Sequence, residues 1–234
     1  MFGEVKSYFQ PRALLVAMIL LPTLPGAVGP AHASSSINHY VAKYKNLPVS
    51  EEQRERLASY DHLIEYFCAF AFFQPRHRVN PNFIRALILA ESNADPRAVS
   101  PHKARGLAQI IHETGRIAAG ELLTLPHAFQ YIDRKRLQSL RQEDLHDPAI
   151  NILIACYLVA KYNHRFEGRL DLVVSAWNAG EKSVQQSQAP AIEETRELVG
   201  RINGYFLALL RQHEQDLARH SALNEGQHHS RPGS

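Results

Sequence analysis

The segment Asn80–Ser92, NPNFIRALILAES, predicts a helix at the centre of the fold. Asparagine is a favoured N-cap and proline a favoured first helical residue, so the helix should begin at Pro81. Its residues are apolar on nearly every face, with Arg85 the main exception, which indicates a buried position. Glu91 continues the apolar stripe that starts at Ile84, because the two residues are seven apart.

Glu91 therefore lies where a buried side chain is expected. A carboxyl group taken out of water either pairs with a cation or takes up a proton, so its pKa should be raised. Such a group is suited to general acid catalysis. The alternative is a glutamate that turns into solvent at the helix end or pairs with Arg85, Arg97 or Arg105. Periodicity alone favours this alternative.

Other helical patterns surround this segment. Ser50 and Gln53 form a predicted capping box at the start of a helix that should end before Gln74-Pro75. Pro148 opens an amphipathic helix, and further helices are predicted over about residues 169–178 and 192–219. We find no alternating strand pattern of useful length and no repeat. The fold class is mainly α, and the composition, 45% hydrophobic and 21% charged, is ordinary for one globular domain.

The N-terminus has the layout of a secretory signal peptide over residues 1–33. Lys6 and Arg12 precede the apolar run Ala13–Leu21, and Ala31-His32-Ala33 matches an A-x-A cleavage site. The apolar run is short for a membrane span, so no stable membrane insertion is expected after cleavage; an uncleaved anchor is the alternative. Residues 34–49 are predicted to be an extended polar lead-in, 50–215 the single folded domain, and 216–234 a disordered tail.

Charge, cysteine and histidine content narrow the possible partners. The formal net charge of +3 is small and scattered, so nucleic acid is not an expected partner. Cys68 and Cys156 both lie in apolar helical patterns, and two interpretations stay open: buried thiols, or one disulfide in an oxidising compartment. The 13 histidines have no tight metal-ligand spacing with cysteines or carboxylates, so no metal site is expected.

Glu91 belongs to the first of four short motifs that are spaced along the chain. The first is ESNADPRAVSPHKARGLAQIIHET, residues 91–114. The others follow in order: DP, NI and YL within residues 147–158, SAWNAG at 175–180 and EETRELV at 193–199. Over about residues 81–205 this series resembles the soluble lytic transglycosylase (SLT) family. The chain departs from the family pattern at four positions, where Lys103 replaces the usual Gly, Ala108 replaces Met, and Trp177 and Leu198 each replace Tyr.

The resemblance implies a single lysozyme-like domain, with the architecture shared by goose-type lysozymes and SLT domains. It also implies lytic transglycosylase activity on periplasmic peptidoglycan strands, with 1,6-anhydromuramoyl products and no cofactor. Glu91 would be the acid and base. Ser100, Gln109, Ile111, Trp177 and Asn178 would bind substrate, and Gly106 would let the backbone turn near the sugar or serve the loop alone.

The resemblance is to small, signal-bearing members that often open the cell wall for an envelope-spanning secretion, conjugation or pilus system. Components of such a system are therefore expected partners. Two alternatives stay open at this point. One is a muramidase that hydrolyses the same bond with water, and the other is a non-catalytic peptidoglycan-binding or scaffold protein of the same fold.

Overall fold

The computed structural model describes residues 31–184 and 192–229, and this part of the chain is almost entirely helical. Within these residues two isolated β-bridges occur, Val99 with Arg105 and Arg105 with Ile110, but no strand. The predicted mainly α class is confirmed. The α-helices are α1 (Ala31–Tyr44), α2 (Glu51–Ala58), α3 (Asp61–Cys68), α4 (Pro81–Ser92), α5 (His112–Thr124), α6 (Arg134–Gln138), α7 (Pro148–Arg165), α8 (Leu170–Ala179) and α9 (Glu193–His229).

Helix α4 lies at the centre, as predicted, and packs against α3, α7 and α9. The Asn80 side chain accepts a hydrogen bond from the Asn82 amide at 2.9 Å, which confirms the predicted cap. The helix ends at Asn93, whose left-handed backbone (φ 55°) turns the chain into the following loop. The sequence predicted a helix to about Ser92, followed by a stop at Asp95-Pro96, and this boundary is confirmed.

Helix α7 is the second central element. Every residue from Ala149 to Val159 is buried, including the predicted stripe from Ile150 to Leu158. The expected amphipathic helix is therefore buried all round, because α3, α5 and α8 pack on its different sides. Asp147 is its N-cap, accepting from the Ala149 amide at 2.9 Å, as predicted.

Two boundaries near the N-terminal half differ from the prediction. The helix that starts at the confirmed Ser50–Gln53 capping box breaks at Ser59–Tyr60 and resumes as α3, which ends at Cys68. The segment expected to be extended instead contains α1. Its Ile37 and Tyr44 lie seven residues apart on one helical face, so the amphipathic pattern was present among the polar residues.

A signal peptide and a disordered tail were predicted at the two ends of the chain. Helix α9 continues to His229, although a disordered tail was expected from residue 216, because residues 193–229 contain no proline to end it. The predicted signal peptide lies outside the described residues except for its last three, which begin α1. Of the described helices, none is long and apolar enough to cross a bilayer.

Candidate active site

Glu91 occupies the last turn of α4, between the buried core and a cleft. The residues before it on the same face, Leu87 and Ile88, are completely buried, and Glu91 itself is half-buried. This burial raises the pKa of the Glu91 carboxyl from 4.5 to about 7. The carboxyl therefore holds its proton much of the time near neutral pH, as the apolar stripe predicted.

Trp177, on α8, contacts Glu91 directly. Its indole Nε1–H donates a hydrogen bond to Glu91 Oε1 at 2.7 Å. This bond favours the ionised form and partly offsets the burial, although burial remains the larger effect on the pKa. The indole can only donate, and the carbonyl oxygen of a protonated carboxyl is a better acceptor than its hydroxyl oxygen, so this bond favours Oε1 as the carbonyl oxygen. The acidic proton is therefore directed to Oε2.

The loop from Ala98 to Ile110 forms the wall opposite α4. It is held by a buried amide, since Asn151 of α7 donates to the carbonyls of Arg105 (2.9 Å) and Leu145 (2.8 Å) and accepts from the Ala108 amide (2.8 Å). Burying an amide in an apolar core is favourable only when its hydrogen bonds are made, so Asn151 specifies the position of the loop.

The conformation of this loop requires glycine at position 106. Its φ is 77°, and a Cβ there would lie 2.1 Å from the Leu145 carbonyl oxygen and 2.5 Å from Asn151 Nδ2. The close approach is therefore to the protein's own backbone, not to a sugar. Of the two expected roles for Gly106, the loop role is the one that the contacts support.

Ser100 and Gln109 both line the cleft with Glu91. Each also stabilises the loop. Ser100 Oγ accepts from the Ala104 amide at 3.1 Å, and Gln109 Nε2 donates to the carbonyls of Gly106 (2.9 Å) and Ala98 (3.2 Å). These bonds fix the loop, so the unused donors and acceptors of the two side chains are held in place in the cleft.

Asn178 and Ile111 are placed differently from the other predicted residues. Asn178 donates to Oγ1 of the buried Thr195 at 2.8 Å, so it ties α8 to the first turn of α9. Ile111 precedes α5 and is 48% exposed. Neither residue lines the cleft. Trp177 is also outside the lining, but it contacts Glu91, which is part of it.

The cleft has a volume of about 600 Å³ and includes residues that sequence reasoning missed. Arg201 and Tyr205 enter from α9, and Gln53 enters from α2, where its Nε2 donates to Asn93 Oδ1 (2.8 Å) and to the Tyr205 hydroxyl (3.2 Å). The lining residues are Gln53, Leu89, Ala90, Glu91, Ser92, Asn93, Ala98, Val99, Ser100, Gln109, Arg201 and Tyr205.

A sequence signal existed for Arg201. Leu198, Arg201 and Tyr205 lie at i, i+3 and i+7, so the cation interrupts an apolar helical face, as Glu91 does on α4. Opposite charges of α9 act on the acid: Arg201 lowers the pKa of Glu91 and Glu194 raises it. Glu91 is the one carboxylate among the described lining residues.

No group of three His, Cys, Asp or Glu side chains within the described residues is arranged to hold a metal ion. Asp95, the acid closest to Glu91 in sequence, is exposed and accepts from the Arg97 amide at 2.8 Å. It is a turn residue, as predicted for the position before Pro96.

Comparison with known proteins gives a family match over the segment that builds this site. A family model described as "Transglycosylase SLT domain" matches residues 69–198, more than half of the 234-residue chain. The match contains Glu91, the loop wall and Trp177, and it ends just before Arg201. A search of curated proteins finds no match.

Two similar solved structures are bacterial lytic transglycosylases. An inactive mutant of lytic transglycosylase Slt from Pseudomonas aeruginosa is 20% identical, with a TM-score of 0.43, over 55% of this chain and 21% of that one. The 70 kDa soluble lytic transglycosylase from Escherichia coli is 18% identical, with a TM-score of 0.48, over 76% of this chain and 33% of that one. The chain thus spans a third or less of either relative.

Proposed function

Because the chain belongs to the transglycosylase SLT domain family, we propose that it is a peptidoglycan lytic transglycosylase with Glu91 as its acid and base. The observation that carries this proposal is the Glu91 carboxyl itself. It is half-buried, has a pKa of about 7, and is held by Trp177 at the edge of a cleft. A group in this state can give and take a proton at neutral pH.

In the first step, Glu91 Oε2 donates its proton to the glycosidic oxygen between N-acetylmuramic acid and N-acetylglucosamine. The bond from the muramoyl anomeric carbon to that oxygen breaks, and its electron pair stays with the leaving oxygen. Positive charge develops at the anomeric carbon, where the substrate's own N-acetyl group can stabilise it. The Trp177 indole stabilises the carboxylate that forms, since hydrogen bonds to charged acceptors are the stronger ones.

In the second step, the muramoyl 6-hydroxyl oxygen bonds to the anomeric carbon and its proton passes to Glu91. This closes the 1,6-anhydro ring and restores the protonated acid, so no water is consumed. One group performs both transfers, which fits a cleft whose described lining contains a single carboxylate. Hydrolysis with a second carboxylate, the muramidase alternative, lacks a corresponding residue in this lining.

Ser100 and Gln109 are our candidates for binding the sugar or its N-acetyl group, because they line the cleft on the fixed loop. Trp177 is a positioning residue for Glu91, and Asn178 supports it by linking α8 to α9. Ile111 remains a predicted substrate-binding residue. The proposed location is the periplasm, with release of the chain by cleavage of residues 1–33.

We further propose that the protein opens the wall locally for an envelope-spanning secretion, conjugation or pilus system. The support is the signal-like N-terminus together with the SLT match. Fractionation of cells expressing the full chain tests the location. Recovery of the uncleaved protein in the cytoplasm would contradict this part of the proposal.

The activity is tested by digestion of purified sacculi with the wild-type protein, Glu91→Gln and a control, Glu113→Gln. Glu113 is an exposed glutamate that pairs with Arg116 on α5, so its replacement makes the same chemical change away from the cleft. Glu91→Gln should release no soluble muropeptides, while the control should match the wild type. Digestion by Glu91→Gln would exclude the proposed role, and inactivity of the folded wild type would favour the non-catalytic alternative.

A further inference from the structure

Arg201 is the only cation among the described residues that line the cleft. Its side chain is half-buried, and within the described residues its guanidinium makes no hydrogen bond or ion pair. Its resolved electrostatic interactions are with Glu91 and Glu197. A guanidinium presents several donors in a planar fork, so this group offers the cleft a binding position for an anion.

The natural intrahelical partner of Arg201 is held elsewhere. Glu197 lies four residues before Arg201 on α9, a spacing at which opposite charges pair on a helix. Instead, one Glu197 oxygen accepts from Lys43 Nζ and the other from the Tyr44 hydroxyl, both on α1. Helix α1 therefore neutralises Glu197 and leaves Arg201 directed to the cleft.

The docking of α1 depends on two glycines of α9. A Cβ at Gly200 would lie 2.7 Å from the Tyr40 carbonyl oxygen, and one at Gly204 would lie 2.4 Å from the Tyr44 carbonyl oxygen. The absence of side chains at both positions lets the two helix backbones approach closely. The interaction that holds Glu197 is thus built into the packing of α1 on α9.

We propose that Arg201 binds a carboxylate of the substrate, so that the preferred ligand is an acidic glycan and not a neutral one. This inference rests on the proposed function, and it assigns a substrate class to the same cleft. In peptidoglycan such a carboxylate belongs either to the lactyl group of muramic acid or to the peptide stem. A planar carboxylate matches the two parallel N–H bonds that an arginine fork donates.

Calorimetric titration tests the proposal with three ligands and no turnover, in the Glu91→Gln protein. The neutral ligand is chitotetraose. The acidic ligands are a GlcNAc–MurNAc tetrasaccharide with free lactyl carboxylates and the same tetrasaccharide with peptide stems, where the lactyl carboxyl is in amide linkage. Adding Arg201→Gln should weaken the binding of an acidic ligand about tenfold to hundredfold, since hydrogen bonds to charged groups are stronger than those between neutral groups.

The acidic ligand whose affinity falls identifies the source of the carboxylate. The affinity for chitotetraose should change less than about twofold. Arg201→Lys should restore part of the affinity, because it keeps the charge and loses the fork. Arg211→Gln is the control, an exposed arginine ten residues further along α9. Equal weakening of neutral and acidic ligands, or no weakening of either acidic ligand, would overturn the inference. If none of the three ligands bound at all, the proposed function itself would fail as well.

A second variant tests the role of α1. Lys43→Met with Tyr44→Phe releases Glu197, which should then pair with Arg201. The affinity for the acidic ligand should fall, and the affinity for chitotetraose should not change. Adding Glu197→Gln to that variant removes the competitor and should restore affinity. Unchanged affinity in the double variant would contradict the proposal that α1 keeps Arg201 available.

Discussion

Replacement of Trp177 by Phe should move the pH dependence of the reaction to higher pH. The change keeps an aromatic ring and removes the one hydrogen bond that the described residues donate to Glu91. That bond favours the ionised carboxyl, so its loss should raise the pKa of Glu91 above about 7. Since the first step requires the protonated acid, the alkaline limb of the rate profile should shift upward.

The size of the shift follows from the strength of the bond. A hydrogen bond to a charged group contributes about 1.5–3 kcal/mol and one between neutral groups about 1 kcal/mol. The difference, about 0.5–2 kcal/mol, corresponds to about 0.4–1.5 pH units. The maximal rate should also fall about tenfold or more, because the carboxyl loses its fixed orientation.

The assay is release of soluble muropeptides from sacculi between pH 5 and pH 10, measured for the wild type, Trp177→Phe and Trp177→Tyr. Trp177→Tyr replaces the indole donor with a hydroxyl, the group usual in the family, and should return both rate and profile toward the wild type. A Trp177→Phe profile that coincides with the wild type, or one shifted to lower pH, would refute the reasoning about the bond.

Three further predictions concern stability and the thiols. Ionisation of Glu91 is disfavoured in the folded protein, so its penalty is absent below pH 4.5, grows as the pH rises and is complete above about pH 7. Glu91→Gln should therefore raise the free energy of unfolding at pH 8 by up to about 3 kcal/mol and change it little at pH 4, as measured by urea denaturation; equal effects at both values would contradict this. Gly106→Ala should destabilise the protein by at least about 2 kcal/mol in the same assay, because its Cβ would meet a backbone carbonyl at 2.1 Å. The matched change Gly120→Ala, whose Cβ would meet no atom within 4 Å, should be neutral or stabilising, and similar losses for both glycines would exclude the steric explanation. Cys68 and Cys156 are both buried, with their sulfurs 3.7 Å apart, and burial raises the pKa of the Cys156 thiol. Under reducing conditions followed by removal of reductant, Ellman's reagent should label them only after unfolding, whereas rapid labelling of the native protein would show that the site is accessible.

The centre of the fold could be predicted from sequence because its signals are local. The Asn80-Pro81 start, the Ser50–Gln53 box and the Asp147 cap each depend on side chains within a few residues of the backbone groups that they bind. Periodicity placed Glu91 on a buried stripe, and the pattern of four motifs then favoured the proposed acid over the helix-end alternative. That choice agrees with its half-buried position and raised pKa.

Other features depend on contacts between distant segments, which no local pattern specifies. Gln53 was recognised as a cap, yet its amide also reaches Asn93 and Tyr205 across the cleft end. Arg201 carried the same signal as Glu91, but Glu197, the residue that could pair with it on α9, is bound by residues 153 and 154 positions earlier in the chain. Helix α1 was missed because its composition is polar, although Ile37 and Tyr44 share one helical face, and packing on α9 outweighs that composition.

The central claim is that Glu91 catalyses ring closure without water, and mass analysis of the released muropeptides tests it most directly. Wild-type protein should release products that end in 1,6-anhydromuramic acid, and Glu91→Gln should release none. Products that are one water heavier and carry reducing ends would contradict the account, because they would identify the protein as a hydrolase.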